Sequence, residues 1–209
     1  MKSNGRVFIC AGTGGGKTAL AAYLTLHVPH LAVFDVKREL GWLPLSRVVT
    51  TLEGMTWRGR EVFYPPEGME GDEGLFNRWC QAAYNARNVM IWLDESAFVS
   101  TPNRIPSYLK NILVAGRTRG VGVIALTQSA VSLSHPMLWR GAEDTYIGYS
   151  TKPMIDSLAK VLGPSVEQAA GFEQYSGDFI AYLNNAKKPV RIAPVPLSAL
   201  GKGYHATAN

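Results

Sequence analysis

The chain has 209 residues, of which 46% are hydrophobic and 18% charged. That balance supports a buried core, suits a single domain over residues 1–200, and excludes a disordered, collagen-like or coiled-coil chain. The 21 Lys and Arg exceed the 16 Asp and Glu, and the net charge of +5 permits a polyanionic partner without requiring one.

Residues 6–11 (Arg-Val-Phe-Ile-Cys-Ala) are apolar and β-branched, the pattern of a buried strand. A glycine-rich loop follows at 12–16, and the pattern turns helical from Lys17 to His27, where Pro29 ends it. Residues 31–36 read as a second buried strand. This strand–loop–helix–strand unit implies a parallel sheet. Residues 53–74 are rich in Gly and Pro, with a short strand expected at 61–64. Residues 75–87 read as a helix, with Leu75, Phe76, Trp79, Cys80 and Ala83 on one face. A third buried strand is expected at 89–93.

A helix opened by Pro106 is expected over 106–116, with Leu109, Ile112 and Leu113 inward. Strands at 121–126 and 145–149 and a helix at 153–162 follow. Ser165 and Gln168 have the spacing of a capping box for a further short helix. Residues 179–183 and 190–195 pair as a terminal hairpin around Asn184-Asn185. The tail 201–209 is polar and expected to be flexible. The two cysteines, Cys10 and Cys80, sit in strand-like and helix-like runs and read as small core residues, not a disulfide or metal site. Neither a signal peptide nor an apolar run near the roughly 20 residues of a membrane span is expected.

The charge is uneven. Residues 53–74 carry six acids and two bases, and read as a docking loop or, with slightly more weight, a solvated insertion. Between Ser96 and Ala142 there is no acid but five bases: Arg104, Lys110, Arg117, Arg119 and Arg140. Such a stretch is equally a phosphate-facing surface and a chance cluster of solvated charges. Of the tryptophans, Trp79, Trp92 and Trp139 read as core, while Trp42 and Trp57 lie in loop-like sequence.

Residues 11–18 read Ala-Gly-Thr-Gly-Gly-Gly-Lys-Thr, the GxxxxGK[ST] pattern with Ala11 in the first glycine place. In such a loop the backbone N–H groups of Gly12, Thr13, Gly14, Gly15 and Gly16 turn inward around phosphate oxygens, and the helix that follows presents its positive end to the same anion. Lys17 reaches the β- and γ-phosphates, and the Thr18 hydroxyl ligates Mg²⁺. ATP and Mg²⁺ are therefore the expected cofactors. The strand at 89–93 ends in Asp94-Glu95. Asp94 suits the metal shell, and Glu95 suits a base that polarises the attacking water. The fourth strand ends in Thr127-Gln128, which aims Gln128 at the γ-phosphate as a sensor. Arg117, in Gly116-Arg-Thr-Arg-Gly120, is on periodicity alone either a helix-end charge or an arginine supplied to a neighbouring subunit.

In this order the motifs resemble the HerA/FtsK superfamily of DNA-pumping ATPases. Four landmarks carry the resemblance: the loop at 11–18, Asp35-Val-Lys-Arg-Glu39, Asp94-Glu95, and Arg117 eleven positions before Gln128. FtsK-like proteins have a similar Asp-Pro-Lys-Gly-Glu segment, where this chain has Val36 in the proline's place. Aligning on Thr127-Gln128 selects Arg117 over Arg119 as the trans arginine. The resemblance covers residues 5 to 150, with weaker support to 195. It implies an α/β P-loop NTPase, a mainly parallel sheet flanked by helices, with a C-terminal β-hairpin.

The small size narrows the resemblance to genome-packaging ATPases of icosahedral, tectivirus-type viruses with an internal membrane. These imply a ring, expected as a hexamer, that translocates double-stranded DNA at a capsid or portal vertex, with a location in host cytoplasm or at the virion packaging vertex. The basic 96–142 stretch would then lie near the pore or the subunit interface. The alternatives are a filamentous-phage assembly ATPase of the zonula-occludens-toxin type, a DNA-transfer ATPase, and a small nucleotide kinase. A kinase has no use for Glu95 or the Gln128 sensor.

Overall fold

The computed structural model describes residues 4–184, 186 and 188–200. Its strands are β1 (Arg6–Cys10), β2 (Leu31–Phe34), β3 (Ser46–Val49), β4 (Arg60–Phe63), β5 (Met90–Leu93), β6 (Gly122–Thr127), β7 (Asp144–Ile147), β8 (Phe179–Leu183) and β9 (Val190–Ile192). They form one sheet in the order β3-β4-β2-β5-β6-β1-β7-β8-β9. The run from β3 to β7 is parallel throughout, and β8 and β9 extend it antiparallel. The helices are α1 (Lys17–Thr25), α2 (Glu73–Ala86), α3 (Ser107–Ala115), α4 (Ala130–Leu133), α5 (Pro136–Arg140) and α6 (Lys152–Leu162). The mainly parallel sheet and the C-terminal hairpin match the sequence expectation. Asn185 at the hairpin's turn and the tail 201–209 lie outside the described residues.

Strand period two divides the core into two layers. Phe8, Cys10, Phe34, Ile91, Leu93, Val123 and Ala125 face α2, α3 and α6, whose Phe76, Trp79, Leu109, Ile112, Ile155 and Leu158 complete that layer. Val7, Ile9, Val33, Trp92, Ile124 and Leu126 face the other way, against Leu20, Ala21 and Ala22 of α1. Strands covered on both faces must be apolar throughout, hence the continuous runs in the sequence. In the first layer the Phe34 ring meets Phe76 edge-on at 4.9 Å, and Trp57 packs on Trp79 at 5.7 Å. Trp57 is thus partly core, while Trp79, Trp92 and Trp139 are buried as expected. Cys10 and Cys80 are buried free thiols.

Besides the short helices α4 and α5, which the sequence pattern does not announce, three features depart from the sequence expectation. Strand β3 was not expected: Ser46 and Arg47 break the apolar pattern, only Val49 is buried, and pairing with β4 at the sheet edge makes the strand. The 53–74 segment is not simply solvated. Glu61 is 1% exposed and accepts hydrogen bonds from the Thr56 amide (3.0 Å) and hydroxyl (2.9 Å), the Trp57 amide (2.8 Å) and Arg47 Nε (3.0 Å). Burial works to raise its pKa, but these donors outweigh it and hold the carboxyl below its ordinary value. Asp72 caps α2 by accepting from the Leu75 amide, and Glu73 pairs with Arg104. Finally, the Ser165/Gln168 capping box does not form. Residues Pro164–Gly171 wind as a 3-10 helix, the cap position falls on Gly163 at φ 91°, and no side chain caps it.

Candidate active site

Because β1, β2, β5, β6 and β7 are parallel, the segments that leave them emerge at one edge of the sheet, the carboxyl edge. There the phosphate loop follows β1, Asp35 follows β2, Asp94-Glu95 follows β5 and Gln128 follows β6. Strands β6 and β5 lie in that order between β1 and β2, so the Gln128 segment adjoins the loop, the acids stand one strand beyond it, and the β2 segment one further. In open α/β sheets ligands bind in the crevice at this edge.

The loop is held on both sides. The Ala11 amide donates to Thr127 O (3.2 Å) and the Gly12 amide to Tyr149 O (2.6 Å), while the Gly15 amide turns back to Gly12 O (3.1 Å). Gly14 and Gly16 take φ of 75° and 79°, a left-handed backbone that L side chains rarely adopt. Gly16 is also the N-cap of α1 and supplies no side chain, so the first amides of the helix have no side-chain cap and are left for an anion. Ala11 in the first glycine place is fully buried, and its methyl fits only because Gly15 and Gly148 lack a Cβ; theirs would stand 2.7 and 2.9 Å from it.

Lys17 Nζ donates to Ala11 O (2.7 Å) and Gly12 O (3.0 Å), folded over the loop. Burial pushes its pKa down, and the field of Glu95 opposes that shift. Asp94 and Glu95 are 5% and 7% exposed, and neither Asp94 Oδ1 nor Glu95 Oε1 has a hydrogen-bond partner among the described residues. Burial, with Asp35 and Glu95 nearby and Lys37 and Lys17 opposing, pushes the Asp94 carboxyl from 3.8 up to about 7. Two orphaned carboxylate oxygens are costly unless something binds them. A hard divalent cation fits: Asp94 and the Thr18 hydroxyl, on the first turn of α1, offer the oxygen ligands that Mg²⁺ prefers.

Gln128 is exposed, one residue beyond the end of β6, where Thr127 pairs with Cys10 beneath the loop. Arg117 lies elsewhere. It precedes β6 at the opposite, amino-terminal edge, where it pairs with Glu143, which also meets Arg6 at 3.6 Å. It joins no part of its own subunit's loop. Arg119 lies over the Tyr84 ring (4.2 Å) and Arg140 over the Trp139 ring (5.0 Å), so much of the basic stretch is engaged within the chain.

Two contributors escaped the sequence reading. Asp35, in the segment already singled out, is fully buried and accepts from the Lys37 amide (3.1 Å) and the Leu40 amide (2.7 Å), so it shapes the turn and loads the field at Asp94. Tyr149 holds Gly12 through its carbonyl, which no side-chain pattern reveals.

A glycine loop between a central strand and a helix, with buried acids ending a neighbouring strand, defines the P-loop NTPase fold. The chain has that fold. The structure is similar to the genome packaging NTPase B204 of Sulfolobus turreted icosahedral virus 2 in complex with ATP-gammaS: TM-score 0.79, 19% identity, covering 94% of this chain and 100% of that one. It is also similar to VirB4 of Thermoanaerobacter pseudethanolicus (TM-score 0.66, 10% identity, 97% and 92% of the two chains). A third is the N-terminal domain of zonular occludens toxin from Neisseria meningitidis (TM-score 0.54, 13% identity, 92% and 94%). No protein-family profile matches the sequence, and no curated protein matches it.

Proposed function

We propose that this chain, as a single domain over residues 1–200, is an ATPase that drives double-stranded DNA translocation as a viral genome-packaging motor. The observation that carries the reading is the partnerless, buried Asp94-Glu95 pair beside a phosphate loop whose lysine feels both acids. The likeness to B204 supports packaging in particular, since it spans nearly the whole of both chains.

Lys17 exchanges its two carbonyl partners for the β- and γ-phosphates of ATP, and loop amides 13–18 hold the same oxygens; the Gly12 amide, expected to turn inward, is instead bonded outward to Tyr149 O. Thr18 and Asp94 would hold Mg²⁺, which would supply charge neutralisation at the phosphates. Glu95 takes the proton of the water that attacks the γ-phosphorus as the bond to the β-phosphate oxygen breaks. Gln128 orients that water and reports the γ-phosphate. Arg117, remote from its own loop, completes the site of an adjacent subunit in a ring, taken as a hexamer. DNA is gripped through its phosphates, at a capsid or portal vertex reached from the host cytoplasm, so the grip is sequence-independent and salt-sensitive.

The likeness to VirB4 and to the zonular occludens toxin domain favours one second reading, a DNA-transfer or phage-assembly ATPase. Among the described residues no helix is long and apolar enough to cross a membrane. The test is steady-state ATP hydrolysis at low salt with and without double-stranded DNA, with Glu95→Gln as the blank. Hydrolysis that rises with DNA and falls at least a hundredfold in the blank supports the motor. Phosphoryl transfer to a nucleoside in the same assay sinks it.

A further inference from the structure

The phosphate loop has an outer flank, and a segment 161 residues away in sequence covers it. Gln174 Nε2 donates to Thr13 O (3.0 Å), and the Tyr175 amide donates to Gly14 O (3.0 Å). The Tyr175 ring lies against Gly14, where an added Cβ would fall 2.5 Å from it, and a Cβ on Gly16 would stand 3.2 Å from the Gly177 Cα. Residues 174, 175 and 177 thus run alongside 13, 14 and 16.

The backbone of this segment is unusual. Tyr175 sits at φ 68° and is 59% exposed, so neither core burial nor easy local geometry explains an aromatic there. Left-handed backbone at a bulky residue persists only where its surroundings fix it, and those surroundings are visible. Gly177 packs under Pro194, and the Asp178 carboxylate pairs with Arg191 of β9 (3.0 Å), whose guanidinium also lies over Phe172 (5.1 Å). The segment is therefore anchored in the C-terminal hairpin and holds the loop from there.

We propose that residues 174–177 are a strap that orients the phosphate loop for nucleotide, with Gln174 and Tyr175 as positioning residues. The inference rests on the nucleotide-binding reading above. Its logic is the planar trans peptide, in which C=O and the following N–H point in opposite directions. Drawing Thr13 O and Gly14 O outward turns the amides of Gly14 and Gly15 inward. The Gly15 amide does face into the loop, towards Gly12 O. An amide already turned inward binds phosphate by exchanging a local acceptor, as Gly15 exchanges Gly12 O, without rotating its peptide, so releasing the carbonyls weakens binding and leaves the chemistry of bound ATP intact.

The test is Gln174→Glu, which keeps the shape but replaces the donor with an acceptor, beside Gln174→Arg, which restores a donor. Tyr175→Gly relaxes the backbone and removes the ring. Fluorescent-ATP titration, steady-state kinetics and nucleotide-free melting are measured on the full chain, with Lys17→Ala as control. One hydrogen bond predicts a three- to tenfold rise, on the order of one bond's net worth, in Kd and KM for Gln174→Glu. The kcat should stay within about twofold and the nucleotide-free Tm should fall by no more than about 2–4 °C, while Gln174→Arg recovers the affinity. Tyr175→Gly should weaken ATP in the same way. Unchanged ATP affinity in both Gln174→Glu and Tyr175→Gly, with Lys17→Ala dead, overturns the strap and leaves the nucleotide site standing. If the unmodified chain binds no ATP, both readings fall.

Discussion

Asp94 links site chemistry to stability, and the link is measurable. Its carboxyl titrates at about 7 in the folded chain against an ordinary 3.8. A raised folded pKa means the folded state keeps the proton where the unfolded state has lost it. Stability from this group is therefore unaffected below pH 4, falls as pH rises from 4 to 7, and stays low above 7. At about 1.4 kcal/mol for each pH unit, the ionised carboxylate costs on the order of 4 kcal/mol at pH 8. Asp94→Asn removes the charge but buries an amide, which returns roughly 1–3 kcal/mol. The variant should therefore be more stable than the parent by ~1–3 kcal/mol at pH 8 in EDTA, a rise in Tm of about 2–10 °C. At pH 5.5, where the parent's carboxyl is mostly protonated, the gain should shrink towards zero. Magnesium-dependent hydrolysis should be lost at either pH. Calorimetry at the two pH values checks this. A variant that melts at or below the parent at pH 8 refutes the view that Asp94 is buried for a cation at the expense of stability.

Lys17→Ala should lose nucleotide binding at least a hundredfold, read by fluorescent-ATP titration, because no other cation replaces an ammonium seated on Ala11 and Gly12. Arg117→Ala should change stability by less than ~1 kcal/mol, since its ion pair is largely exposed on the arginine side, yet should abolish hydrolysis by the assembly. Mixing it with Lys17→Ala should restore activity, as intact loops meet intact arginines across subunits, and no recovery counts against a trans role. Trp79→Ala, at a fully buried position stacked on Phe76 and edge-on to Phe34, should cost about 3–5 kcal/mol by denaturant midpoint.

Local pattern determined much of this protein. The glycines and Lys17-Thr18 announce the loop because its backbone conformation admits few other residues. The apolar runs announce β1, β2, β5 and β6 because strands buried on both faces have no polar side to alternate with. Asp94-Glu95 stands out because two acids ending such a run are chemically anomalous. Tertiary structure decided what distance in sequence conceals. It inserted β5 and β6 between β1 and β2, which sets the acids one strand from the loop and within the field of Lys17. It made a strand of Ser46–Val49, whose stability lies in its pairing with β4 and not in its own pattern. It turned Glu61 into an anchor through donors from neighbouring loops and placed Arg117 at the edge opposite the loop. It also laid Gln174 and Tyr175 on Thr13 and Gly14. The acceptors in those two contacts are main-chain carbonyls, which every residue has, so composition and spacing leave no mark of where they meet.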